Sequence, residues 1–151
     1  MNVAFDFDGV IHREVTKADE YNQRHPINGL YHFPQNPFSK IIDLINIYFE
    51  KKYNIYIITS RNDNSKKIVI DTLHRFKIFN KINQIYFTGN THNGDKTELL
   101  EKLNIHHFYD DSMYHFNCVF NKKKENKLKK LQKFYLTVPE KNNIIRFNFD
   151  L

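Results

Sequence analysis

The sequence predicts an α/β fold, a Rossmann-like, doubly wound and mostly parallel sheet of about five strands with helices on both faces. Three observations carry this reading. Short apolar runs rich in Ile, Val, Phe and Tyr alternate along the chain with segments of helical periodicity. Such alternation links parallel strands through helical crossovers that cover both sheet faces. Polar and acidic residues gather immediately after three of the apolar runs, where ligands bind on sheets of this kind.

The elements follow in order. Val3–Phe7 reads as a buried first strand. Pro26, Gly29, Pro34 and Pro37 make residues 9–37 mostly loop. From Ser39 to Lys51, Ile41, Ile42, Leu44, Ile45, Ile47 and Tyr48 recur at helical spacing. Asn54–Thr59 (NIYIIT) is the second strand. Asn64 or Ser65 caps a helix to about Phe76, with Ile68, Val69, Thr72 and Leu73 facing the core. Gln84–Phe87 (QIYF) is the third strand, Gly94–Leu103 a short helix and Ile105–Tyr109 (IHHFY) the fourth strand. Ser112 caps another short helix, residues 121–133 form a lysine-rich helix, and Phe134–Val138 is a fifth strand. The tail NNIIRFNFDL fits no single element.

The length of 151 residues suits a single domain spanning 1–151. No apolar run approaches the ~20 residues of a membrane helix, and acidic residues from Asp6 onward are unlike a secretory signal. The lone Cys118 excludes an internal disulfide and fits a reducing cytoplasm. The net charge of +6 invites a polyanionic partner. However, 18 Lys against 5 Arg, with 19 Asn and 17 Ile, is also the skew of an AT-rich genome. Between Asn121 and Lys133, seven lysines could follow a phosphate backbone. The spacing of Leu128, Leu131 and Phe134 instead favours one core face with the lysines solvated.

The first strand ends in FDFDGV, so two carboxylates stand two positions apart, on one side of an extended chain. Something must offset their repulsion. Thr59, Ser60 and Arg61 follow the second strand, and Asp110, Asp111 and Ser112 follow the fourth. Three strand ends thus converge on one chemistry. Neither a nucleophile-elbow GxSxG nor a P-loop is present. The single cysteine and the scattered histidines do not have zinc-ligand spacing. His106 and His107 read as structural.

FDFDGV, IITSR, the lysine of GDKTELL and FYDDS occur in this order over about residues 1–115. Together they resemble the four motifs of the haloacid dehalogenase superfamily of phosphotransferases. The resemblance implies a phosphatase that works through an aspartyl-phosphate. Asp6 would be the nucleophile, and Asp8 the general acid and base. Lys96 would neutralise the phosphoryl group and orient Asp6. Thr59, helped by the backbone amide of Ser60, would bind phosphoryl oxygens, and Gly9 would allow close backbone approach. One Mg²⁺ would be held by the Asp6 carboxylate, the Asp8 carbonyl and Asp110 or Asp111, as befits a cation that prefers oxygen ligands.

The gaps before the second strand and between Arg61 and Lys96 are too short for a large folded cap, so a minimal cap and an open site are expected. ITSRN is similar to motif two of polynucleotide kinase–phosphatase enzymes, with Arg61 as a bidentate phosphate clamp. FYDDSMYH is similar to motif four of RNA-repair-like phosphatases, which brings His115 toward substrate, although Ser112 stands where those enzymes often have Arg. Tyr21, Tyr31, His32 and Phe33 could stack on a base, or pack the first loop down. The favoured substrate is a phosphate on a single-stranded nucleic-acid end, in the manner of a 3′-phosphatase. A 5′-nucleotidase or other small-molecule phosphatase is the first alternative. A non-catalytic binding protein that kept the fold is the second.

Overall fold

The computed structural model describes residues 1–13, 34–89 and 96–149. Six strands form one sheet: β1 (Asn2–Phe5), β2 (Asn54–Thr59), β3 (Gln84–Phe87), β4 (His107–Asp110), β5 (Lys133–Val138) and β6 (Asn143–Asn148). The spatial order is β3-β2-β1-β4-β5-β6. The first five are parallel and β6 runs antiparallel to β5. The helices are α1 (Ser39–Glu50), α2 (Lys66–Arg75), α3 (Thr97–Lys102) and α4 (Met113–Lys124). From β1 the chain builds outward to β2 and β3, then crosses to the other side of β1 for β4. The carboxyl ends of β1 and β4 therefore flank a topological switch point, where such sheets leave a crevice for a ligand.

Side chains alternate across the strands and sort into two cores. On one face Val3, Phe5, Ile55 and Ile57 pack with Ile41, Ile45 and Tyr48 of α1 and Val69 and Leu73 of α2. On the other, Ala4, Ile58, Phe108 and Phe134 pack with Leu100 of α3, Val119 of α4, Leu128 and Leu131. The predicted α/β architecture with helices on both faces is the one observed. His107 lies in an aromatic cluster, its Nδ1 2.9 Å from the Tyr48 hydroxyl, and His106 Nδ1 accepts the Asn2 N–H at 3.1 Å.

Three of the differences from expectation have local reasons. β1 stops at Phe5 because the chain turns: Ile11 N–H donates to the Phe7 carbonyl at 2.9 Å, although Asp6 N–H still reaches Tyr109 O at 2.9 Å. The segment before α2 begins as a 3₁₀ turn, Asp63–Ser65, capped by Asn62 Oδ1, while Ser65 makes no capping bond. The lysine-rich stretch 121–133 is not one helix. Ser112 Oγ caps α4, which runs through Lys124 and ends before Asn126 and Leu128, both with φ in the left-handed region. Lys123 Nζ then donates to the carbonyls of Leu128 and Leu131 at 2.9 and 2.8 Å. Leu128 and Leu131 are buried, as their spacing suggested, yet on a tucked loop rather than a helix face. Lys124, Lys127, Lys129 and Lys130 are exposed.

The tail forms β6, a sixth strand beyond the five expected. It pairs with β5 after the 3₁₀ turn Pro139–Lys141 and the left-handed Asn142. The base of segment 14–33 is pinned: Arg13 N–H donates to Asn36 O and Phe38 N–H to Ile11 O, each at 2.9 Å. Tyr21, Tyr31, His32 and Phe33 lie outside the described residues. No helix among the described residues is long and apolar enough to cross a membrane.

Because Leu131 anchors the tucked loop against Phe134 and Leu128, Leu131→Ala should lower the unfolding free energy by about 3 kcal/mol. The shift in urea midpoint at unchanged slope measures it.

Candidate active site

Asp6, the first residue after β1, is buried at 6 % exposure. Its Oδ1 accepts the Phe7 N–H at 2.7 Å and lies 2.8 Å from Lys96 Nζ. Lys96 precedes α3, on the crossover from β3 to β4, and is nearly completely buried. Its ammonium also donates to Asp110 Oδ2 at 3.0 Å. Asp110 ends β4 with no exposed surface. The same Oδ2 is 2.8 Å from His115 Nδ1, and Oδ1 accepts the Ser112 N–H at 2.9 Å. The i, i+5 step from Asp110 to His115 spans the start of α4, so the helix cap and the carboxylate contact share one turn.

Asp111, half-buried, completes an acidic group. One carboxylate oxygen from each of Asp6, Asp110 and Asp111 lies within 4.8 Å of the others. Three carboxylates against one ammonium is a deficit of two positive charges, and all the acidic donors are hard oxygens. That set fits one Mg²⁺, which takes oxygen ligands and completes its shell with water or phosphate.

The electrostatics divide the acids. Burial, with Asp110 and Asp8 adding to it, pushes Asp6 up to about 6 against the pull of Lys96. Burial acts the same way on Asp110, but Lys96 and His115 outweigh it and hold the group at about 2. Asp111 is driven well above the ordinary carboxylate range by burial and by Asp6 and Asp110. Burial works against the charge on Lys96, yet Asp110 and Asp6 prevail and keep it protonated.

Asp8 belongs to a second group. Arg61 grips it with a fork: Nε reaches Oδ2 at 3.0 Å and Nη2 reaches Oδ1 at 2.9 Å. On the other side His12 Nε2 is 2.6 Å from Oδ1. Burial opposes ionisation here too, but Arg61 and His12 hold Asp8 far below the usual carboxylate value. The Arg61 guanidinium stacks 5.1 Å over the Phe7 ring, and its Nη1 is buried with no hydrogen-bond partner among the described residues. Two of the five Arg61 N–H donors are thus directed at a protein carboxylate, and those of Nη1 have no partner among the described residues.

Thr59, at the end of β2, is fully buried. Its Oγ1 accepts the Arg61 N–H at 3.1 Å, which leaves the hydroxyl proton for another acceptor. Ser60 beside it is half-buried. Gly9 has φ 75°, in the left-handed region that favours glycine, and its carbonyl accepts Thr137 Oγ1 at 2.8 Å. Of the residues singled out in the sequence, Asp6, Lys96, Asp110, Asp111 and His115 come together around the ammonium. Asp8 and Arg61 pair beside them, and Thr59, Ser60 and Gly9 line adjoining strand ends. His12 was missed. Its only signal is a polar ring closing the apolar turn GVIH, four residues after Asp8.

Asp111 is costly while no cation is bound. Its raised value means that its favourable contribution is complete below the unfolded value near 4 and is lost as pH rises through the folded value. Asp111→Asn should therefore raise the melting temperature of the metal-free protein at pH 7, by about 3 °C. It should also weaken divalent-cation binding at least tenfold by titration calorimetry. The two effects have opposite signs, and a loss of both stability and affinity would contradict the assignment.

A family model described as 5′-nucleotidase matches residues 1–129. An uncharacterized protein of Acanthamoeba polyphaga mimivirus is 39% identical over 143 residues, covering 92% of this chain and 28% of that protein. The chain thus spans less than a third of the length of this curated relative. No solved structure matches. The family match supports a phosphatase family and does not extend to the polynucleotide kinase–phosphatase-like specificity expected from ITSRN.

Proposed function

Because the chain belongs to the 5′-nucleotidase family, we propose that it is a Mg²⁺-dependent phosphomonoesterase acting on nucleoside monophosphates through an aspartyl-phosphate on Asp6. The observation that carries this reading is the buried carboxylate of Asp6 at the switch point, held by Lys96 beside Asp110 and Asp111.

Both contacts that the described residues make to the Asp6 carboxylate fall on Oδ1, so Oδ2 is the freer oxygen for attack on phosphorus. A bond forms between that oxygen and phosphorus as the ester P–O bond breaks. Its electron pair goes to the leaving oxygen, which takes a proton from Asp8. Water then attacks the phosphoryl group and gives a proton back to Asp8. The products are the alcohol, inorganic phosphate and the restored Asp6 carboxylate. Thr59, through its hydroxyl proton, and Lys96 bind phosphoryl oxygens. At rest Asp8 is ionised. An arriving phosphoryl anion raises the affinity of this carboxylate for a proton and competes for Arg61, so Asp8 takes a proton from solvent as substrate binds and returns it to solvent as phosphate leaves. Asp6, Asp110 and Asp111 would hold Mg²⁺, which offsets the repulsion between the anionic nucleophile and the anionic substrate.

A terminal phosphate on a single-stranded nucleic acid is the second reading, favoured by the net charge of +6. A turnover panel of nucleoside 5′-monophosphates and 3′-phosphorylated oligonucleotides separates the two. With Mg²⁺, the mononucleotides should release phosphate at least tenfold faster. Asp6→Asn should reduce release by ~10³-fold or more, and chelation should do the same. Equal inertness of wild type and Asp6→Asn across the whole panel would leave the non-catalytic binding protein as the remaining reading.

A further inference from the structure

We propose that His12 is a positioning residue for Asp8, one that makes Oδ2 the oxygen available to the leaving ester. This rests on the phosphatase reading above. His12 has no exposed surface and sits in an otherwise apolar turn, after Val10 and Ile11. Its ring meets Phe7 edge-on, with centroids 4.9 Å apart at 65°. An ionised carboxylate only accepts hydrogen bonds, so the contact of 2.6 Å to Asp8 Oδ1 puts the hydrogen on His12 Nε2.

The loading of the two oxygens is unequal. Oδ1 takes His12 Nε2 at 2.6 Å, Arg61 Nη2 at 2.9 Å and Arg61 Nε at 3.3 Å. Among the described residues Oδ2 takes Arg61 Nε alone, at 3.0 Å. A guanidinium fork by itself treats two carboxylate oxygens nearly alike. Here Arg61 puts one strong contact on each oxygen and a long third one on Oδ1, and His12 adds the shortest contact of all to Oδ1, which makes the loading decisively unequal. His12 also turns Asp8 from a group held on one side into one held from two separate elements, the loop after β2 and the turn after β1.

His12 is itself fixed by its backbone. It forms isolated bridges with Asp8 and with Pro37, and the hydrogen bonds Phe38 N–H to Ile11 O and Arg13 N–H to Asn36 O flank it. The imidazole is thus presented from a pinned stem rather than from a free loop. Misplacing a reacting group by about 1 Å costs on the order of 100-fold in rate, so a rigid second anchor on the proton carrier is of direct kinetic value.

The test compares two leaving groups. Asp8 must protonate a nucleoside alkoxide as it departs, whereas 4-nitrophenolate leaves without a proton. The ratio kcat/KM counts only the steps up to release of the alcohol or phenol. His12→Phe keeps a ring against Phe7 but has no donor. His12→Asn keeps an amide that falls short of Asp8, and His12→Gln extends one to the position of Nε2. With Mg²⁺, His12→Phe and His12→Asn should lower kcat/KM about 30-fold for a nucleoside monophosphate and about threefold for 4-nitrophenyl phosphate. His12→Gln should recover most of the larger loss. Equal losses on both substrates in His12→Asn, or no recovery in His12→Gln, would make His12 merely structural. Wild-type protein inactive on both substrates would overturn the phosphatase reading itself, and this inference with it.

Discussion

The bridge made by Lys96 is the interaction on which the site depends. Asp6 and Asp110 close adjacent parallel strands, and the pairing of β1 with β4 brings their carboxylates to one point. Without a cation both would be buried and mutually repulsive. Lys96 lies 2.8 Å from one and 3.0 Å from the other, with Phe108 beneath the ammonium at 5.8 Å. Breaking a buried pair of this kind by removing one partner typically costs about 3–5 kcal/mol, because the remaining charge is stranded. Placing the lysine on the crossover between β3 and β4 ties the site to the sheet topology: only the reversal of strand order returns that crossover over the switch point.

Lys96 does not balance the whole pocket, and the shortfall is informative. One ammonium faces Asp6, Asp110 and Asp111, so the group retains negative charge that burial makes expensive. Asp110 is kept ionised by two partners, while Asp6 and Asp111 are pushed upward. A protein built only for stability would not keep such a cluster. Its cost is understandable where a cation and a phosphoryl group are to be bound in turn.

The two aspartates of FDFDGV, neighbours in sequence, end in opposite environments. Alternation on a strand would put them on one side, but β1 ends at Phe5 and the turn sends Asp8 to Arg61 and His12 instead. Asp6 is raised and Asp8 is lowered by these different surroundings. Two chemically identical side chains thus sit in different electrostatic settings, one next to an ammonium and one gripped by a guanidinium, which suits the different roles proposed for them.

Much of this was readable from the chain. Apolar runs, helical spacing and capping residues located all four described helices and five of the six strands; where spacing was the signal, core-facing residues repeat at the period of their element, as Ile41, Ile45 and Tyr48 do on α1 and Ile55 and Ile57 on β2. β6 was not legible because an edge strand exposed along most of its length shows no alternation. The lysine-rich segment misled because Leu128 and Leu131 repeat at a helical interval, although the chain leaves the helix at a left-handed Asn126. The order of the acidic motifs named the candidate residues, since strand ends converge on any parallel sheet. The partners of those residues were decided only by tertiary structure. Hydrogen bonds such as His12 to Asp8, Arg61 to Asp8 and His115 to Asp110 depend on where turns and crossovers deliver side chains. Local sequence determines which groups can ionise; the fold determines which of them meet, and so which charge each one carries.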